Sequence, residues 1–199
     1  MQCEIKNSNN LTKLKIMGQY YRPCILRQNY KLCVKANPVL ASLSPYDFDN
    51  GAKLMEHSYV GNSYVSAVMQ LLNSYYYGSP FAWVGDYADG VGKSKDLYSE
   101  AYEIEKDTKR KHHFEPKQYK YVVNLSKKQF IKVPELTRSL IVHPLPLLTA
   151  FGNGRGGGDY HGTNEDKVGI WAFDKIGVTN DEEEIVGLEE IFVNFEEEW

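Results

Sequence analysis

The chain has 199 residues, 42% hydrophobic and 25% charged, with a formal net charge of −3 at pH 7. That is enough to bury a substantial core in one domain, or in one domain with appendages. It excludes the strongly basic balance of a global nucleic-acid footprint, and no apolar run approaches the ~20 residues of a membrane-spanning helix.

Within that balance the charge is uneven. Residues 1–40 hold seven Lys or Arg against one acid, Glu4, whereas residues 181–199 hold nine acids and no base. The ends could meet in the fold or serve separate partners. Two solvated faces are the plainer reading, because exposed ion pairs are weak. Tyrosine dominates the aromatic residues, 15 against 8 Phe and 3 Trp, which suits half-exposed strands and recognition surfaces. Cys3, Cys24 and Cys33 are odd in number, match no zinc spacing and follow no secretory leader. Reduced thiols in a cytoplasmic protein are expected.

In chain order, residues 1–16 are polar and read as an N-terminal extension, ahead of a single domain over 17–180. From Gly18 to Val34 the sequence favours strands, with Gln28-Asn29 as the turn of a hairpin. Prolines and the Asp49-Asn50-Gly51 run then mark a loop. A helix is predicted over 62–77: Asn62 or Ser63 caps it, Val65, Val68, Met69 and Leu72 share one face, and Gly78 stops it. Phe81–Val84 is a short strand ending at Gly85-Asp86-Tyr87-Ala88-Asp89-Gly90. A second helix is predicted over 95–106, capped by Ser94, and 107–118 reads as a charged linker.

Tyr119–Asn124 and Gln129–Val133 form a hairpin around Leu125–Lys128. Pro144 and Pro146 interrupt 141–149 and make it a loop or edge element. Val168–Val178 is a strand bent at a glycine. Residues 181–199 form an acidic C-terminal segment with a strand at 191–195. Regular alternation of strands and helices is missing, so the fold class is α+β, a mostly antiparallel sheet with two main helices.

Several blocks together are similar to those of a family of bacterial and phage- or prophage-associated proteins: MGQYYRP (17–23), LMEHSY (54–59), WVGDYAD (83–89), YVVN (121–124), HPLPLLTA (143–150) and GNGRGGGDYHG (152–162). The resemblance spans most of 17–178. It implies a small cytoplasmic accessory protein of a bacterium or mobile element, compatible with host interaction or an anti-defence role. It carries over no activity and no catalytic residue.

The densest chemistry lies in that last block, where six of eleven residues are glycine. Glycine loses the most backbone entropy on ordering, so such a run points to positive φ or to close approach of a ligand. Successive amides can form an anion-binding nest, and Arg155 adds a bidentate donor. The candidate ligand-binding residues are Asn153, Gly154, Arg155, Gly156, Gly157, Asp159, Tyr160 and His161. No Gly-Lys-Ser/Thr follows, and although GxGxxG is formally satisfied, the preceding segment carries two prolines and no helix opens after the loop. A P-loop and a dinucleotide fold are both excluded on context. A plain irregular connection is the competing reading.

Asp159 and His161 are also candidate metal ligands, joined in space by His57, His143, Asp86 or Asp89. His57, Asp86 and Asp89 are the candidate acid/base groups. Each has a structural reading as well: Asp at a strand end makes turns, and His57 can hydrogen-bond the loop around it. No nucleophile–base pair is recognisable, and no cofactor is specified. The expected function is binding of an anionic small molecule such as a nucleotide. The alternatives are a metal-assisted or acid/base hydrolase using Asp86, Asp89, Asp159 and His161, and an inhibitor of a host protein acting through a tyrosine-rich or acidic surface. Oligomeric state is left open.

Overall fold

Strand β1 (Tyr21–Leu26) is buried along its whole length, as is β3 (Ser79–Gly85). Both are sandwiched, and their side chains sort by the two-residue period of a strand. Tyr21 and Ile25 of β1, with Phe81 and Trp83 of β3, join the core beneath helix α2 (Ser63–Asn73). Cys24 and Leu26, with Ala82 and Val84, pack instead with Leu97 and Ala101 of helix α3 (Leu97–Lys111). A strand buried on both faces shows no polar alternation, which is why these segments read as continuous apolar runs.

The computed structural model describes residues 19–33, 36–88, 96–115, 117–136, 141–152 and 164–194. The remaining strands are β2 (Val39–Ala41), β4 (Tyr121–Asn124), β5 (Gln129–Lys132), β6 (Ala150–Phe151), β7 (Lys175–Thr179) and β8 (Glu189–Glu190). They form one sheet in the order β2-β1-β3-β7-β4-β5-β8, with β6 beside β3. Pairing is antiparallel except at β3–β6 and β5–β8. A single turn, α1 (Leu54–His57), and a short helix, α4 (Pro144–Thr149), complete the α-helices among the described residues. The α+β class with a mostly antiparallel sheet is therefore correct.

The main helices differ from their predicted bounds for local reasons. Asn62 does cap α2, its side chain accepting from the amides of Tyr64 and Val65 at 2.9 and 3.1 Å. The helix stops at Asn73, not 77. Tyr77 leaves it to pack on Gly177 and donate to Glu184 at 2.7 Å, and Gly78 takes the left-handed conformation (φ +71°) that turns the chain into β3. Helix α3 is capped by Asp96, not Ser94, and runs five residues into the predicted linker. Asp107 pairs with Arg110 and Lys111 one turn on, and basic residues favour a helix C-terminus.

Other predicted elements are corrected outright. The hairpin partner of β1 is β2, reached through a short 3-10 turn at Tyr30–Leu32 rather than through Gln28-Asn29. Residues 144–149 are helical. Pro144 sits at the first helical position, where a missing amide costs nothing, and His143 caps the turn. The strand predicted at 168–178 is confined to β7, because amides at Gly169 and Trp171 bond instead to carbonyls of Leu147 and Leu148 in α4. Residues 191–194 are not a strand; the pairing of this segment with β5 is made by β8. The 121–124/129–132 hairpin stands nearly as predicted.

Candidate functional site

The parallel pair β3–β6 sets the position of the two most suggestive sequence blocks. Trp83 lies opposite Ala150 and Val84 opposite Phe151. Gly85, the last residue of β3, and Gly152, the residue after β6, therefore emerge side by side. A Cβ on either glycine would strike the same buried side chain, Gln19. A side chain at either position would have to displace the buried Gln19 amide, so close packing rather than backbone freedom favours glycine there. The Tyr21 hydroxyl donates to Gln19 Oε1 at 2.8 Å and completes the buried polar floor.

Asp86 follows directly. Its Oδ1 accepts the Tyr20 amide at 3.1 Å, while its own amide donates to the Tyr20 carbonyl at 2.9 Å. The carboxylate is thus committed to holding the end of β1 against the end of β3. Tyr98, in the first turn of α3, is close enough for Asp86 to act on it: burial raises the Tyr98 hydroxyl pKa, the Arg22 guanidinium opposes that, and Asp86 and Tyr46 add to it. Arg22 itself is buried, paired with Glu105, with Tyr98 and Tyr102 ring centroids each 4.9 Å from its guanidinium carbon. Tyr20, Tyr46, Tyr87 and Tyr102 are exposed. The carboxyl end of β3 therefore combines a rigid polar floor with a rim rich in tyrosine.

His57 and His143 belong to the chain that frames this end. Lys53 bridges Tyr20 on one side, and its amide donates to His57 Nδ1 at 3.2 Å. The amide of His143 bonds the Ser58 carbonyl at 2.8 Å, and Val142 pairs with Tyr59. Asp86, His57 and His143 are thus linked through successive backbone contacts, yet each side chain accepts a backbone amide, local for the two histidines and across the strands for Asp86. His143 Nδ1 accepts from Leu145 at 3.0 Å, and burial pushes its pKa down to about 3, so it serves as a neutral cap. No group of three or more His, Cys, Asp or Glu that could hold a metal ion occurs among the described residues.

Asp89 and the candidates Asn153, Gly154, Arg155, Gly156, Gly157, Asp159, Tyr160 and His161 lie outside the described residues, as do 1–18. What the structure gives for the glycine-rich segment is its two anchors. Gly152 is seated on Gln19. Asn164, on the far side, donates to the Asn194 carbonyl at 2.7 Å and accepts the Asn194 amide at 2.9 Å. The acidic segment is partly structural: Glu182 and Glu190 face Lys120 and Lys132 at 3.7 and 3.1 Å. These lysines belong to the β4–β5 region and not to the basic N-terminal third.

Sequence reasoning missed Gln19 and Arg22. The signal for Arg22 was present, a lone charge inside the apolar run 20–26, where burial demands a partner. Gln19 carried no such signal. No helix among the described residues is long and apolar enough to cross a membrane. No family model, no curated protein and no solved structure matches the chain.

Proposed function

We propose that the chain is a binding protein whose glycine-rich segment, 152–162, holds an anionic small molecule of the nucleotide class. The observation that supports this is the side-by-side exit of Gly85-Asp86 and Gly152 from two parallel strands over a buried polar floor. In open α/β sheets ligands favour the carboxyl ends of parallel strands, and the short β3–β6 pair offers the same local arrangement within a mostly antiparallel sheet. The segment that follows Gly152 supplies successive amides and Arg155, and the tyrosines around Asp86 offer faces for a planar base. Catalysis is the weaker reading, because His57, His143 and Asp86 are each engaged by a backbone amide. We further propose, on the block resemblance alone, that the protein serves a bacterium or mobile element.

The test is thermal unfolding of the full chain with a panel of nucleotides and inorganic phosphate. At a ligand concentration about 100 times Kd, stabilisation is about 2.7 kcal/mol. For a chain of this size that is a rise in Tm on the order of 5–10 °C. Arg155→Ala abolishes the shift and leaves the Tm without ligand unchanged. No shift with any anion in the panel sinks the reading.

A further inference from the structure

A cleft of about 350 Å³ lies between the end of α2 and the chain that follows α3, remote from the β3–β6 end. Helix α3 begins beside Cys24 and ends at this cleft. At 1.5 Å per residue it separates Leu97, beside Cys24, from the cleft by about 20 Å. The volume is at the small end of the range for sites that take compact ligands, ~300–1,000 Å³.

Its walls are aromatic. Tyr75 and His112 have ring centroids 4.4 Å apart, and Phe114 follows His112 at 6.4 Å. Tyr75 is 71% exposed, so much of its ring is accessible to a ligand. His112 Nδ1 is buried with no hydrogen-bond partner among the described residues, a state that native proteins rarely leave unexplained. The frame is preformed. Gln70 of α2 donates to the Glu115 carbonyl and accepts its amide, and Ser66 does the same for Lys117 at 2.7 and 3.4 Å.

The spare charge is positive. Lys117 lines the cleft with Nζ 5.1 Å from the Tyr119 ring centroid, and it makes no ion pair among the described residues. The rim also carries Glu115, whose neighbour at 3.7 Å is His113, a partner only when protonated, while Asp107 meets two cations, Arg110 and Lys111, and leaves one positive charge over. Aromatic walls alone would also suit an organic cation. The positive excess of Arg110, Lys111 and Lys117 over Asp107 and Glu115 argues against one.

We propose that this cleft binds a planar aromatic anion, its ring against Tyr75 and His112 and its charge toward Lys117. Stacking supplies the orientation and the ammonium supplies the charge-assisted contact. The site is independent of the glycine-rich segment.

Indole-3-acetate titrated into the full chain and followed by ligand-observed NMR tests it, with cyclohexylacetate and choline as contrasts. Expected is saturable binding of indole-3-acetate that weakens about tenfold in Tyr75→Ala and is kept in Tyr75→Phe. Lys117→Gln weakens it about threefold, and Arg155→Ala leaves it unchanged. Tyr75 is exposed, so thermal unfolding of its variants should match the parent. Absence of saturable binding, equal binding of cyclohexylacetate, preference for choline or indifference to Tyr75→Ala each overturns the site. Loss of binding in Arg155→Ala also overturns it, by moving the ligand to the other end of the molecule.

Discussion

The two ends of β3 are built from opposite materials. At its carboxyl end, polar side chains are buried against one another, Gln19 Oε1 with the Tyr21 hydroxyl and Arg22 with Glu105, and the half-buried Asp86 holds the backbone of Tyr20. At its amino end the neighbouring cleft is walled by rings and held open by side chains of α2 that bond the backbone of the next segment. Buried polar networks are costly to break and so define geometry. Partly exposed stitches cost little and leave room for a ligand. The contrast teaches that rigidity in this fold is concentrated where the glycine-rich segment begins.

Breaking the buried pair is the most severe test of that contrast. Arg22→Ala leaves Glu105 charged in the interior and should cost about 3–5 kcal/mol in urea unfolding. The double variant Arg22→Leu/Glu105→Leu should recover most of that loss, since no lone charge remains. If Arg22→Ala were as mild as a surface change, the rigid end would not be held electrostatically.

His143, which caps the helix leading into β6, sharpens the comparison through pH. Its pKa is about 3 in the fold against 6.5 when exposed. A depressed histidine pKa means that the unfolded chain takes up the proton first. The stabilisation is therefore complete above about pH 6.5 and is lost as pH falls toward 3. The loss from this group should reach about 2 kcal/mol by pH 5. Protonation would also turn the Nδ1 acceptor into a donor against the Leu145 amide. His143→Asn, a cap that does not titrate there, should flatten the profile, and unfolding measured at pH 7 and pH 5 for both chains checks it.

The smallest effect belongs to the open end. Gln70→Ala removes two partly exposed hydrogen bonds and should cost only about 1 kcal/mol. It should also raise amide hydrogen exchange at Glu115 and Lys117 and leave the β1–β3 amides protected. Uniform loss of protection would mean that the two ends are one cooperative unit.

Where neighbouring residues decide the structure, the sequence was informative. The Asn62 cap with Val65, Val68, Met69 and Leu72 specifies the start of α2, because capping and a 3.6-residue stripe are local properties. The hairpin of β4 and β5 is equally local. The prolines of 144–149 misled because the same residue that breaks a strand also begins a helix, and only His143 and the packing of Leu145, Leu147 and Leu148 select between them. The charged run 107–111 looked like a linker because its helical pairing is visible only once α3 has formed.

By itself, then, the sequence determined the α+β class, one helix start, one hairpin and the identity of the glycine-rich block. Each rests on propensity, period or composition within a few turns of chain. The tertiary structure alone decided that Gly85 and Gly152 leave adjacent parallel strands over Gln19, that Arg22 finds Glu105, and that Tyr75 and His112 wall one cleft. Those meetings join residues far apart in the chain. They depend on which strands pair, and sheet order is set by the packing of both faces at once rather than by any local signal.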